Sequence, residues 1–370
     1  MNVAAILLIG VLYISLLNYT STAHDDYDGD HHNERESMIE SHDGHGHHTD
    51  EHHHHSFGSS GLRSPSRSST IDLGNNQQSF TSDHRGLDFH TFENCGSRNP
   101  TSAEFKEASR VVTKWITSQL LNLQQVQTVE INTYFHVILN GGVDANTPTA
   151  AELANQIIVL NDSFRPHGFT FRLIDTTYTE NDEWYFAGAS SQEQTDMKSA
   201  LRVGDASTLN VYLNQPTGAT RGTLLGYATF PWNYQSDPSS DGIVLHDEVI
   251  PGGLFDRFQE GKTLAHEIGH WLGLFHTFQP NFGFFENINF ILYLLRIRNG
   301  CNTAGDDVED TPRSRSPNYG CPVGSDTCGL RPGLDPINNY MEYTDDACRT
   351  EFTAGQSERM WAMWNEYRAP

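Results

Sequence analysis

The sequence predicts an α/β domain of the mixed, α+β type over residues 126–370, and three observations predict it. Strand-like alternating runs are interleaved with a few long amphipathic runs from about residue 102 onward. Residues 24–70 carry no apolar periodicity at all. The whole chain is lean, with 36% hydrophobic residues and a mean hydropathy of -0.53 over 370 residues, as a folded domain behind an unpacked leader would be.

In chain order, residues 2–17 (NVAAILLIGVLYISLL) form an apolar run short for a membrane span, followed by small residues up to Ala23. This reads as a signal peptide over 1–23, implying a secreted, extracellular protein. A membrane anchor is the alternative, because the basic n-region is missing. Residues 24–55 hold eleven of the nineteen histidines, and 56–70 are rich in Ser, Gly and Arg. The expectation for 24–70 is a disordered tail whose histidines either hold Zn²⁺ or Cu²⁺ loosely or have no role. Residues 71–125 read as a pro-region. Within it, 102–124 has the spacing of an amphipathic helix, with Phe105, Val112, Trp115, Ile116 and Leu120 on or near one face.

From 126 to 370, strands are expected at 130–139, 169–179, 209–215 and 242–250, and helices at 152–166, 262–275 and 355–368. No internal repeat is present. The chain carries 47 acidic and 23 basic residues, a formal charge of -24, and residues 126–370 alone carry 31 and 15. Such a surface excludes a nucleic-acid backbone as partner and does not favour adhesion to an anionic membrane.

The chemistry lies in HEIGHWLGLFH, residues 266–276. Two histidines four apart on a helix present two imidazoles to one ion, so His266 and His270 are the first candidate zinc ligands. Glu267 lies beside the first ligand, where its carboxylate reaches a metal-bound water as general base. Gly273 is placed to take positive φ, stop the helix and turn His276 back as third ligand. Three neutral nitrogens leave a fourth position open, the mark of a catalytic Zn²⁺ site. Helix histidines that are merely capped or solvated are the bland alternative, disfavoured by five specified residues at fixed spacing.

HExxHxxGxxH followed by Met341 in NNYMEYTDDAC (338–348) matches the metzincin signature. With GDDVEDTP (305–312), CPVG (321–324) and FTAGQSERM (352–360), residues 126–370 resemble the pappalysin family, especially its fungal secreted metalloproteases. The resemblance implies a metzincin-like zinc protease domain with a mixed twisted sheet, an active-site helix, a Met-turn at Met341 and a C-terminal helix. It implies His266, His270 and His276 as zinc ligands and Glu267 as general base and acid. Tyr343 is similar to a tyrosine that approaches the metal or stabilises the oxyanion. The edge strand near GYATFPW (226–232) is expected to pair with substrate backbone. Protein or peptide substrates, and action as a monomer without nucleic acid or a stable membrane anchor, complete the expectation.

Cys301, Cys321, Cys328 and Cys348 allow three pairings by sequence, and extracellular residence implies that they oxidise. The resemblance implies Cys301–Cys328 and Cys321–Cys348. Asp306, Asp307, Glu309, Asp310 and Thr311 offer oxygen ligands at a density suited to Ca²⁺; a solvated acidic loop is the alternative, and the resemblance favours calcium. In the resemblance, Asp346 approaches the specificity pocket, where its charge would attract Arg or Lys; a surface acid is the alternative. Cys95, the odd cysteine in ENCGSRNP (93–100), is the expected latency switch, since a thiolate can take the open zinc position. The alternative is an incidental thiol. Maturation is then expected by a cut between about 110 and 130. Residues 280–299 interrupt the family pattern with a strongly apolar insert, read as a translated intron, or else as a substrate-binding flap or membrane-docking finger beside the cleft. Two other functional classes compete: a catalytically inactive binding module, against which Glu267 speaks, and a metal buffer built on the histidine-rich tail.

Overall fold

The computed structural model describes residues 92–121, 127–144, 146–218, 222–279, 300–302 and 305–370. The expected signal peptide, histidine-rich tail, first part of the pro-region and apolar insert at 280–299 lie outside these residues. Among the described residues, no helix is long and apolar enough to cross a membrane.

A five-stranded sheet organises the domain. Its strands are β2 (Val129–Leu139), β3 (Phe169–Glu180), β4 (Leu209–Asn214), β6 (Gly226–Ala228) and β7 (Ile243–His246), in the order β3-β2-β4-β7-β6. All pairs are parallel except β6 with β7, so the edge strand alone runs against the rest. Strands β4 and β7 are buried along their whole length, which explains their near-continuous apolar sequence. A second, two-stranded sheet pairs β1 (Phe92–Glu93) with β5 (Thr223–Leu224) in parallel.

Helix α1 (Ser102–Leu121) precedes the sheet, and α2 (Ala150–Phe164) crosses from β2 to β3. Thr149 and Glu152 form a capping box that starts α2 two residues earlier than the apolar spacing suggests. Helices α3 (Asp182–Tyr185) and α4 (Gln192–Leu201) lie between β3 and β4, where no helix was expected. The long helices α5 (Lys262–Trp271) and α6 (Ala354–Met363) complete the set, the latter running on into a π turn at Trp364–Arg368. The expected strand at 242–250 stops at His246, because the amide of Val249 turns back onto the His246 carbonyl. The expected buried face of α1 also shifts. Phe105, Ala108 and Val111 are buried, Val112 and Trp115 partly so, and Ile116 is 40% exposed.

The main core lies between α2, α5 and the sheet, and it includes Phe135, Leu160, Ile268, Trp271 and Met341. Two buried arginines brace the end of α5. Arg359 Nε donates to the Gly273 carbonyl and Arg368 Nε to that of Trp271, each at 2.8 Å, satisfying acceptors that a helix C-terminus leaves open. The Arg368 charge is met by Asp241, 3.1 Å away and equally buried.

Candidate metal centre

Every residue of α5 from Thr263 to Trp271 is buried, so its two histidines are held by packing on all sides. His266 Nδ1 lies 2.7 Å from the Tyr340 carbonyl and His270 Nδ1 lies 2.9 Å from that of Leu274. A carbonyl only accepts, so both Nδ1 atoms carry the proton and both Nε2 lone pairs point into the centre. Gly273 has φ +88°, the turn that its position in the motif demands, and His276 folds back onto the pair. His270 Nε2 and His276 Nε2 lie 3.1 Å apart, while His266 Nε2 is buried with no hydrogen-bond partner. Burial moves the His270 imidazole down to about 4 and holds His266 and His276 well below their ordinary value.

Cys95 completes this group. One ligand atom each from Cys95, His266, His270 and His276 lies within 4.8 Å of all the others, the one such cluster among the described residues. Convergent, unprotonated nitrogens with a thiol are the donor set that suits a zinc ion.

Beneath the centre, a Cβ on Gly269 would stand 2.3 Å from Met341 Sδ, so the absence of a side chain lets the methionine lie against α5. Met341 is fully buried. The Tyr343 ring packs 5.0 Å from His276 and 5.8 Å from His266, and its hydroxyl donates to the Cys95 carbonyl at 3.4 Å. Burial pushes the Glu267 carboxyl up to about 8, against hydrogen bonds from Cys95 and Ser97 that pull it down. The Cys95 thiol is pushed well up, first by burial and then by the Glu267 charge.

The cleft is filled by the chain itself. Leu225 N donates to the Glu93 carbonyl at 3.0 Å, Gly96 N to the Gly226 carbonyl at 2.9 Å, and Ala228 N to Ser97 Oγ at 2.8 Å. Residues 93–97 thus lie along β5 and β6, and at Gly226 and Ala228 they occupy the edge that was expected to receive substrate. Ser97 Oγ also donates to Glu267 Oε2 at 3.1 Å, and Asn94 Nδ2 donates to the Tyr343 carbonyl at 3.2 Å. Neither Ser97 nor Asn94 was singled out from sequence, and only their closeness to Cys95 gave any signal.

The cysteines pair Cys301–Cys328 and Cys321–Cys348, leaving Cys95 free, as the resemblance implied. The acidic loop does not gather as expected. Asp307 bonds Ser109 and pairs with Arg359 at 3.4 Å, and Asp310 accepts the Gly355 amide at the start of α6. Asp306 Oδ2 and Thr311 Oγ1 remain, both buried without a hydrogen-bond partner. Burial pushes the Asp306 carboxyl up to about 8. Asp346 presents no free charge either. It is fully buried, is ion-paired with Arg349 and accepts the Glu260 amide at 2.9 Å, so its visible work is to hold the entry to α5. The expected pocket acid is met within the chain because Arg349 sits one turn away.

The profile of the peptidase M43 family, described as pregnancy-associated plasma protein-A, matches residues 205–365. An extracellular metalloprotease of Colletotrichum graminicola is 36% identical over 280 residues, covering 74% of this chain and 90% of its own length. Extracellular metalloprotease 1 of Coccidioides posadasii is 39% identical over 279 residues, with 74% and 90% covered. Among solved structures, a variant of Tannerella forsythia promirolysin is similar with a TM-score of 0.54 and 26% identity, covering 75% of this chain and 99% of that one. Mirolysin in complex with a compound gives a TM-score of 0.51 and 27% identity, with 66% and 99% covered.

Proposed function

The chain belongs to the pappalysin family of metzincin metallopeptidases, and from that premise we propose that it is a secreted zinc endopeptidase held latent by its own residues 92–97. The observation that carries the reading is the convergence of Cys95 with three neutral imidazoles beside a buried carboxylate. Secretion is supported by the names of the relatives and by the apolar run at 2–17. Latency is supported by the match to a pro-form, which spans 75% of this chain where the mirolysin complex spans 66%.

His266, His270 and His276 would hold the zinc, which when bound supplies Lewis acidity toward the scissile carbonyl and a water acidic enough to ionise near neutrality. Glu267 takes that proton and returns it to the departing amine. Its buried setting suits a carboxyl that must be basic in one step and acidic in the next. Tyr343, whose hydroxyl meets the Cys95 carbonyl, offers the same O–H to the carbonyl oxygen of the substrate as charge builds there. Substrate backbone replaces residues 93–97 along Gly226–Ala228, adding a strand to the sheet edge. Calcium is proposed for the acidic loop on Asp306 and Thr311, where Asp306 Oδ2 and Thr311 Oγ1 are buried without a hydrogen-bond partner.

The test is hydrolysis of a peptide library by the matured protein before and after chelation. Loss of cleavage on chelation and its return with zinc alone is expected; cleavage untouched by a zinc chelator contradicts the reading.

A further inference from the structure

Under the expected maturation cut, helix α1 falls in the segment removed, yet it is seated in the catalytic domain as a core element. Phe105, Ala108 and Val111 are buried, and Val112 and Trp115 partly so, on one stripe spaced by three and four residues. They pack into an apolar groove formed by Phe230, Trp232, Phe275, Met363 and Tyr367. The Phe105 ring stacks on Phe275 at 5.1 Å. Polar contacts set the register at both ends: Trp232 Nε1 donates to Glu104 at 2.9 Å, and Lys114 pairs with Glu366 at 2.7 Å.

The groove and the metal centre are therefore two separate attachment points for one stretch of chain, residues 92–121. Because α1 ends at Leu121 and β2 begins at Val129, a cut that spares both falls between 122 and 128. Such a cut breaks neither attachment. Two linked contacts hold each other at high effective concentration, so the fragment leaves only when both let go together.

We propose that residues 92–121 are a separable inhibitor whose affinity comes from α1 in this groove, so that a cut between 122 and 128 does not by itself activate the enzyme. The groove's partner is an amphipathic helix carrying large apolar residues at the spacing of Phe105, Ala108, Val111 and Trp115, with an acid in its first turn. Activation then needs the fragment to be displaced or destroyed. This rests on the protease reading above, and its test is read separately.

Residues 122–126 of the full chain are replaced by a sequence that a site-specific protease cuts. After cutting, fragment retention is measured by gel filtration and intact mass, and peptide hydrolysis is measured on the same fractions. The fragment should co-elute and hydrolysis should stay at the uncut level. A double Phe105→Ala, Trp115→Ala variant should hold the fragment about 100-fold less tightly and become active on cutting. An unsubstituted control guards against misfolding: excess synthetic peptide 102–121, which lacks Cys95, should displace the fragment and raise hydrolysis. Prompt loss of the unsubstituted fragment on cutting, or retention unchanged by both the double variant and the peptide, overturns the inference. Retention does not depend on catalysis. A chain that keeps its fragment as expected but hydrolyses nothing after displacement upholds the groove and sinks the protease reading.

Discussion

Ser97 Oγ lies 3.1 Å from Glu267 Oε2 and 2.8 Å from the amide of Ala228, so one hydroxyl holds both the proposed general base and the sheet edge. The proposed latency therefore rests on more than a thiol. Ser97→Ala should leave Cys95 in place and still raise the activity of the uncut chain roughly 30-fold, since two hydrogen bonds of about 1 kcal/mol each are lost. Intact mass must confirm that nothing was cleaved. An uncut variant as silent as the parent chain would take Ser97 out of the latency.

Gly269 and Met341 make a steric prediction. A Cβ at 269 would meet Met341 Sδ at 2.3 Å, so Gly269→Ala should cost about 1–3 kcal/mol of stability, read as a lower Tm. Adding Met341→Ala should recover part of that loss, because the two side chains compete for one space. Additive losses in the double variant would remove the methionine from beneath α5.

How much of this was legible in the sequence follows from what each signal measures. The helix of the histidine cluster could be read because His266, Glu267 and His270 are fixed by local helix geometry and Gly273 by its required positive φ. Strand cores could be read from buried alternation, but β7 was overdrawn because a turn made by backbone alone ends it at His246. Asp346 is hard to read from sequence for a different reason. Sequence shows an acid beside the Met-turn, whereas its role depends on Arg349 and on the Glu260 amide, 86 residues away. Likewise Asp307 looked free for calcium until α1 brought Ser109 against it.

Asp346→Asn separates bracing from specificity. With Arg349 left buried and unpaired, stability should fall by about 3–5 kcal/mol while the preference for residues after the cleaved bond stays as it was. Unchanged Tm together with a lost preference for Arg or Lys would restore Asp346 to the substrate pocket.

Lys198 gives a pH dependence. Its ammonium is fully buried, donates to the carbonyls of Ser240 and Gly242, and is lowered by desolvation from 10.5 to about 8, with Asp241 and Asp237 pulling it back. Between about 8 and 10.5 the unfolded chain holds more protons than the folded one, so stability from this group rises with pH. The stability of the native chain relative to Lys198→Met should therefore climb across that window in denaturant titrations. Parallel curves from pH 7 to 10 would place the ammonium in water.

Glu267 carries the central claim, and Glu267→Gln in the matured protein tests it most directly. Zinc content and peptide hydrolysis are measured on the same preparations. One zinc per chain in both proteins, with hydrolysis falling by roughly 10²- to 10⁴-fold in the variant alone, is the expected result. A variant that keeps its zinc and still cleaves peptides at the parent rate would contradict the account.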